Sequence, residues 1–186
     1  MLNKEIFFNS LGELFKPVSM PQYRGMTAII DYWNNTGEYD GRKLAYILAT
    51  VYWETARTMQ PIEEYGKGKK HKYGIPDPIT GKAYYGRGFV QLTWDYNYKK
   101  LGQILGVDLY NKPELALDLG ISTAILFEGM FKGLFTGKKL ADYFPDNEPA
   151  NELNVINARK IINGTDKAKE IEMIYNKFLT AIFKAT

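Results

Sequence analysis

The chain has 186 residues, 45% hydrophobic and 24% charged, with a formal net charge of +3 and no cysteine. This composition excludes a disordered or fibrous chain, excludes a disulfide framework, and is long enough for one domain, residues 1–186, to bury its own core. With a single histidine the usual cysteine and histidine zinc patterns are also unavailable, so chemistry without a metal or cofactor is expected.

The N-terminal segment MLNKEIFFNSLGELF is interrupted by Asn9, Ser10, Gly12 and Glu13 before it reaches signal-peptide length, and no apolar run approaches the roughly 18 residues of a membrane span. The expectation is a chain made in the cytoplasm. Helical spacing of Ile6, Phe7, Leu11, Leu14 and Phe15 predicts a first helix over 3–15, closed by the Lys16-Pro17 step. Met26, Ile29, Ile30 and Trp33 predict a second over 21–34. Asp40 is the expected N-cap of the strongest helical segment, 42–59, whose stripe runs through Leu44, Ile47, Leu48, Val51 and Thr55. Residues 60–83 are polar and rich in glycine, proline and lysine, which predicts a long surface loop. Alternation from Tyr85 to Trp94 predicts a short strand, half of a hairpin. Further helices are predicted at 96–105, 113–134 and 166–184.

Three features carry chemistry. Glu54 lies three residues after Val51 and seven after Ile47, at the edge of an apolar stripe, where partial desolvation disfavours the ionised carboxylate and suits a proton donor. Position alone favours a structural carboxylate paired with Arg57 or Arg87. Glu63 and Glu64 are the nearest second carboxylates. A continuous helix would turn Glu63 to the face opposite Glu54, since nine steps of about 100° give half a turn beyond whole ones. Pro61 instead predicts a helix end near Met59 and a chain that turns back across a groove. The third feature is YYGRGFVQLTWDYNY, residues 84–98. It mixes flat aromatic faces with amides and hydroxyls, a surface suited to sugar rings.

LAYILATVYWETA (44–56), YYGRGFVQLTWDYNY (84–98), LGVDLYNKPELA (105–116) and ARKIING (158–164) occur in the order of, and resemble, the catalytic domain of glycoside hydrolase family 19, especially its phage endolysin branch. The resemblance implies a mainly α (α+β) fold, lysozyme-like and two-lobed, with a small β-hairpin beside the cleft. It implies single-displacement hydrolysis with inversion, for which the two carboxyl groups stand roughly 6.5 to 9.5 Å apart. Carried over by position, Glu54 is the acid, Glu63 the base with Glu64 in reserve, and Thr93 a hydroxyl that helps hold the attacking water. Tyr85, Arg87, Gln91, Tyr96, Asn97 and Asn163 are the substrate-binding positions. Trp53 stands where many relatives have histidine, and the segment after Glu54 is shorter than in plant chitinases.

The function expected from this resemblance is an endolysin-type peptidoglycan hydrolase acting in lysis after release through a membrane pore, as a monomer without nucleic-acid or membrane partners. The alternatives are a chitinase, a lytic transglycosylase needing one glutamate, and a glycan-binding module without turnover. Lys67, Lys69, Lys70, His71 and Lys72 form a basic cluster beside Glu63 suited to anionic wall polymers, although such a run is more often a solvated loop.

Overall fold

The computed structural model describes every residue except 1, 13, 16, 147 and 150. The described chain is mainly helical: α1 Lys4–Ser10, α2 Met20–Asn34, α3 Gly41–Glu54, α4 Asp95–Leu105, α5 Leu119–Lys132, α6 Glu152–Asn157 and α7 Ala168–Ala185. One small antiparallel sheet joins β1, Ile62–Glu63, to β2, Arg87–Gly88.

The axis of the fold is α3. Asp40 caps it as expected, accepting from the Arg42 amide, and every residue from Lys43 to Tyr52 is buried. A helix covered on all sides is a core element rather than an amphipathic surface one. It packs along α7, which also receives α1. Phe178 of α7 meets Phe7, Phe15 and Tyr52 at ring-centroid separations of 6.4, 6.4 and 6.2 Å.

Several boundaries depart from expectation, each for a local reason. The first helix stops at Ser10, where the Leu11 amide bonds the Phe8 carbonyl instead of a full helical partner; Lys16, half of the step expected to close it, lies outside the described residues. The segment 113–134 divides into a 3-10 turn, Pro113–Leu117, and α5, because the Asp118 carboxylate caps a new helix by accepting from the Ile121 amide at 2.9 Å. The expected strand over 85–94 shrinks to Arg87–Gly88, since Gly88, Gln91 and Trp94 have φ of +84°, +53° and +72°. Its partner comes from the supposed loop: Glu63 stands opposite Arg87 and Ile62 opposite Gly88. The short helix α6 was not foreseen.

The most consequential difference is that α3 ends at Glu54 and not near Met59. The Thr55 hydroxyl donates to the Val51 carbonyl at 2.7 Å and accepts from the Met59 amide at 3.0 Å. Ala56, Arg57 and Met59 then adopt φ of +48°, +70° and +53°, so the turn is complete before Pro61 is reached. Such a run of left-handed residues costs of order 1–3 kcal/mol each and persists only where neighbours impose it. Here α2 does so. Gln22 Nε2 donates to the Arg57 carbonyl at 3.0 Å, and Gln60 Nε2 to the Pro21 carbonyl at 2.5 Å.

Gly25 of α2 lets this turn approach. A Cβ there would lie 1.7 Å from the Met59 carbonyl oxygen, whereas one on Gly12 would meet nothing within 4 Å. Gly25→Ala is therefore expected to destabilise the protein by about 1–3 kcal/mol or more. Gly12→Ala should change it little, and thermal unfolding of the two variants side by side checks the difference.

Candidate active site

Glu54 is the last residue of α3, its side chain 15% exposed. Its Oε1 accepts from Arg159 Nη1 at 2.5 Å, and the Arg159 side chain is 5% exposed. A negative side chain beside the last carbonyls of a helix faces their partial negative charge, and the guanidinium opposes that repulsion. Arg159 is itself fixed by donation from Nε to the Asp166 carbonyl at 3.1 Å. The partners weighed from sequence were Arg57 and Arg87, and neither holds Glu54. Arg57 is exposed in the left-handed turn, and Arg87 is engaged elsewhere. Asn163 is exposed just after the 3-10 turn Ala158–Ile161 that carries Arg159, its amide donating to the Arg159 carbonyl at 3.0 Å and its side-chain oxygen accepting from the Gly164 amide.

Glu63 heads a second cluster. Tyr85 donates its hydroxyl to Glu63 Oε1 at 2.6 Å, and Lys67 Nζ lies 3.0 Å from Oε2. These two bonds, the Tyr85 one foremost, hold the Glu63 carboxyl below its ordinary value of 4.5 against a smaller opposing effect of burial. Arg87 Nε is 3.7 Å from Oε1 and adds positive charge.

Arg87 corrects an expectation. It is buried, its guanidinium 3.7 Å from the Tyr85 ring centroid, with Nη1 donating to the Ala83 and Tyr85 carbonyls and the Tyr98 hydroxyl. It supports Tyr85 and Glu63 from beneath rather than meeting a ligand. Tyr85, 9% exposed, is likewise committed to that carboxylate through its hydroxyl. Glu64, the reserve base, is committed to structure: it accepts from the Tyr73 hydroxyl at 3.1 Å and the Gly86 amide at 3.0 Å. Gln91 stitches β1 to the following turn, Nε2 donating to the Ile62 and Gly88 carbonyls.

The remaining positions form a third group at the start of α4. Asn97 donates to the Thr93 carbonyl at 3.0 Å, and Thr93 is half-buried. Tyr96 is 59% exposed and stacks on Trp94 at 6.1 Å. Trp53 is half-buried against the core. Among the described residues no group of three or more His, Asp or Glu side chains is placed to hold a metal ion. The residues that sequence reasoning missed are Arg159 and Tyr73, while Lys67 was read only as a member of the basic cluster and not as the partner of Glu63. Arg159 lay inside the ARKIING segment already singled out, where only Asn163 was picked.

Residues 53–132 match the model of the family described as Chitinase class I. Inactive chitinase-like protein 1 of Hevea brasiliensis is 63% identical over 100 residues, covering 43% of this chain and 31% of that protein. Endochitinase A2 of Pisum sativum is 53% identical over 51 residues, covering 26% and 16%. The chain thus spans about a third or less of the length of these curated relatives. Chitinase C from Streptomyces griseus HUT6037 superimposes with a TM-score of 0.66 at 21% identity, over 94% of this chain and 75% of that one. A bacterial family 19 chitinase gives 0.65 at 24% identity, over 94% and 93%. These two share the fold over nearly all of this chain. Residues 53–132 thus resemble the class I chitinase family, and nearly the whole chain shares the fold of the solved family 19 chitinases.

Proposed function

We propose that the protein is a glycoside hydrolase cutting β-1,4 bonds of an amino-sugar polymer, with Glu54 as acid and Glu63 as base. The observation that carries this is the unequal setting of two carboxylates in the matched segment. Glu63 is held ionised by Tyr85 and Lys67, while Glu54 is fixed by Arg159 at the end of the most buried helix. A carboxyl held ionised suits the base, which leaves Glu54, at the position of the family's acid, to donate the proton. In the proposed step Glu54 gives its proton to the glycosidic oxygen as the bond to the anomeric carbon breaks. Water attacks that carbon from the opposite face and gives its proton to Glu63, so the product is inverted. Thr93 helps hold the water, and Tyr96, Asn97 and Asn163 meet the sugars.

The plant endochitinase relatives favour chitin oligomers as substrate; peptidoglycan, and with it a role in lysis, is the narrower alternative. The Hevea relative is named inactive, and a glycan-binding module without turnover is the non-enzymatic rival. Chitin hexamer and purified peptidoglycan, each digested by wild type and by Glu54→Gln, test all three. Proton NMR should show a product α at the new reducing end, with the mass gain of one water. An anhydro product indicates transglycosylation, and bound but uncut polymer indicates a binding module; either refutes the proposal.

The Glu63 setting also predicts a pH profile. A carboxyl lowered on folding contributes stability that is present above its unfolded value, about 4.5, and lost as pH falls through the lower folded value. Activity that needs ionised Glu63 should follow the same window and persist below pH 4.5. Tyr85→Phe removes the main cause, so the acid limb of kcat/KM should move to higher pH. An unmoved limb would remove Glu63 from the mechanism.

A further inference from the structure

The segment 64–75, beside Glu63, is a compact series of turns rather than the loose loop its composition suggests. The amides of Lys67, Lys69, His71 and Gly74 donate in succession to the carbonyls of Glu64, Gly66, Gly68 and His71, at 2.9 to 3.1 Å. Gly66, Lys67, Gly68 and Lys70 have φ of +88°, +51°, +72° and +78°. The two arms touch so closely that a Cβ on Gly74 would fall 2.2 Å from the Gly68 carbonyl oxygen. Tyr73 ties the unit down, its carbonyl accepting from the Tyr84 amide at 2.9 Å and its hydroxyl donating to Glu64. Lys67 and Lys70 hold left-handed backbone, which side chains persist in only where the surrounding structure imposes it.

What this unit presents is unbalanced positive charge. Lys69, Lys70 and Lys72 are exposed, and among the described residues no carboxylate pairs with them. Nearby acids are spent, Glu64 on Tyr73 and Gly86, and Asp77 on the amides of Ile79 and Thr80. Lys67 alone is paired, with Glu63. A line of rings leads from the lysines to the proposed sugar site. His71 stacks on Tyr73 at 4.9 Å, Tyr73 meets Trp94 edge-on at 5.4 Å, and Trp94 stacks on the exposed Tyr96.

We infer that the 66–72 turn unit is an anion-reading extension of the glycan site, made for an amino-sugar polymer that carries carboxylates, such as the lactyl ethers and peptide stems of peptidoglycan. Neutral chitin would leave these cations facing one another across water. An acidic polymer lying along the rings neutralises them, and the fixed backbone spares the ordering cost a flexible loop would incur. The inference rests on the glycan-cleaving assignment for its setting, but the affinity it claims is measurable without turnover.

The test uses Lys69→Gln/Lys70→Gln/Lys72→Gln, three exposed positions outside the proposed catalytic groups. Both this variant and wild type are sedimented with purified peptidoglycan, with and without its phosphodiester polymers, and with chitin. The variant should lose roughly tenfold in apparent affinity for phosphate-free peptidoglycan at low salt. It should match wild type on chitin and in chitin-hexamer cleavage. The difference should vanish near 1 M salt, where the screening length is about 3 Å. Equal binding of peptidoglycan by both proteins, an equal loss on chitin, or a loss seen only when phosphodiester polymers are present would each overturn the inference. Selective peptidoglycan binding by a wild type that cuts neither polymer would sustain it while refuting the hydrolase proposal.

Discussion

Glu54→Gln is expected to lower kcat by roughly 10²–10⁴-fold, the range general acid–base groups contribute, with a much smaller change in KM. Glutamine keeps an oxygen for Arg159 Nη1 and keeps the side-chain volume, so the variant removes the transferable proton while leaving the hydrogen bond its acceptor. Circular dichroism and thermal melting should show a folded protein, while single-turnover assays on chitin hexamer isolate the chemical step. Turnover within a few-fold of wild type would mean that the proton comes from another group.

The second large effect belongs to Arg159. With Arg159 5% and Glu54 15% exposed, the pair is nearly desolvated, and removing one member leaves the other buried without its counter-charge. Arg159→Met retains bulk but not charge, and is expected to destabilise the fold by about 3–5 kcal/mol. For a chain of this size that is a fall in Tm on the order of 10 °C. The loss of Nε donation to the Asp166 carbonyl contributes to the same sum. The combination Glu54→Gln/Arg159→Met should be less destabilised than the two single variants added together, because no uncompensated charge remains. Strict additivity in that cycle would show that the 2.5 Å contact carries no coupling.

Legibility of the fold in the sequence followed the range of the forces involved. The Asp40 cap and the α2, α4 and α7 segments were readable because capping and helical periodicity act within a few residues. The end of α3 was misplaced by five residues because what stops it is a tertiary clamp: Gln22 and Gln60 bind the turn to α2, and Gly25 makes room for it. The sheet was misread for a related reason. Alternation suggested a strand within 85–94, but positive φ at Gly88, Gln91 and Trp94 breaks it, and the true partner lies more than twenty residues upstream.

The candidate site could be proposed from residue types but not from partners. Spacing offered Glu54 and Glu63 as candidates and set Lys67 near Glu63, whereas the cation that meets Glu54 could not be read. Arg159 is 105 positions from Glu54 in the chain, and nothing local announces the pairing. Arg87 illustrates the opposite error: a polar residue in an aromatic motif suggested contact with sugar, while its burial under Tyr85 gives it a supporting task.

The Glu64 amide bonds the Gly86 carbonyl at 2.7 Å, and the Tyr84 amide bonds the Tyr73 carbonyl, so the excursion between Glu64 and Gly86 is shut at its neck. Within that excursion Lys67 and Tyr85 reach back to Glu63, while residues 69–72 make no bond to it. Lengthening a closed excursion is cheap, about 0.6 kcal/mol for each doubling of a flexible loop. Insertion, deletion or recharging confined to residues 69–72 would therefore alter the charge this stretch presents while leaving the bonds of Lys67 and Tyr85 to Glu63 in place.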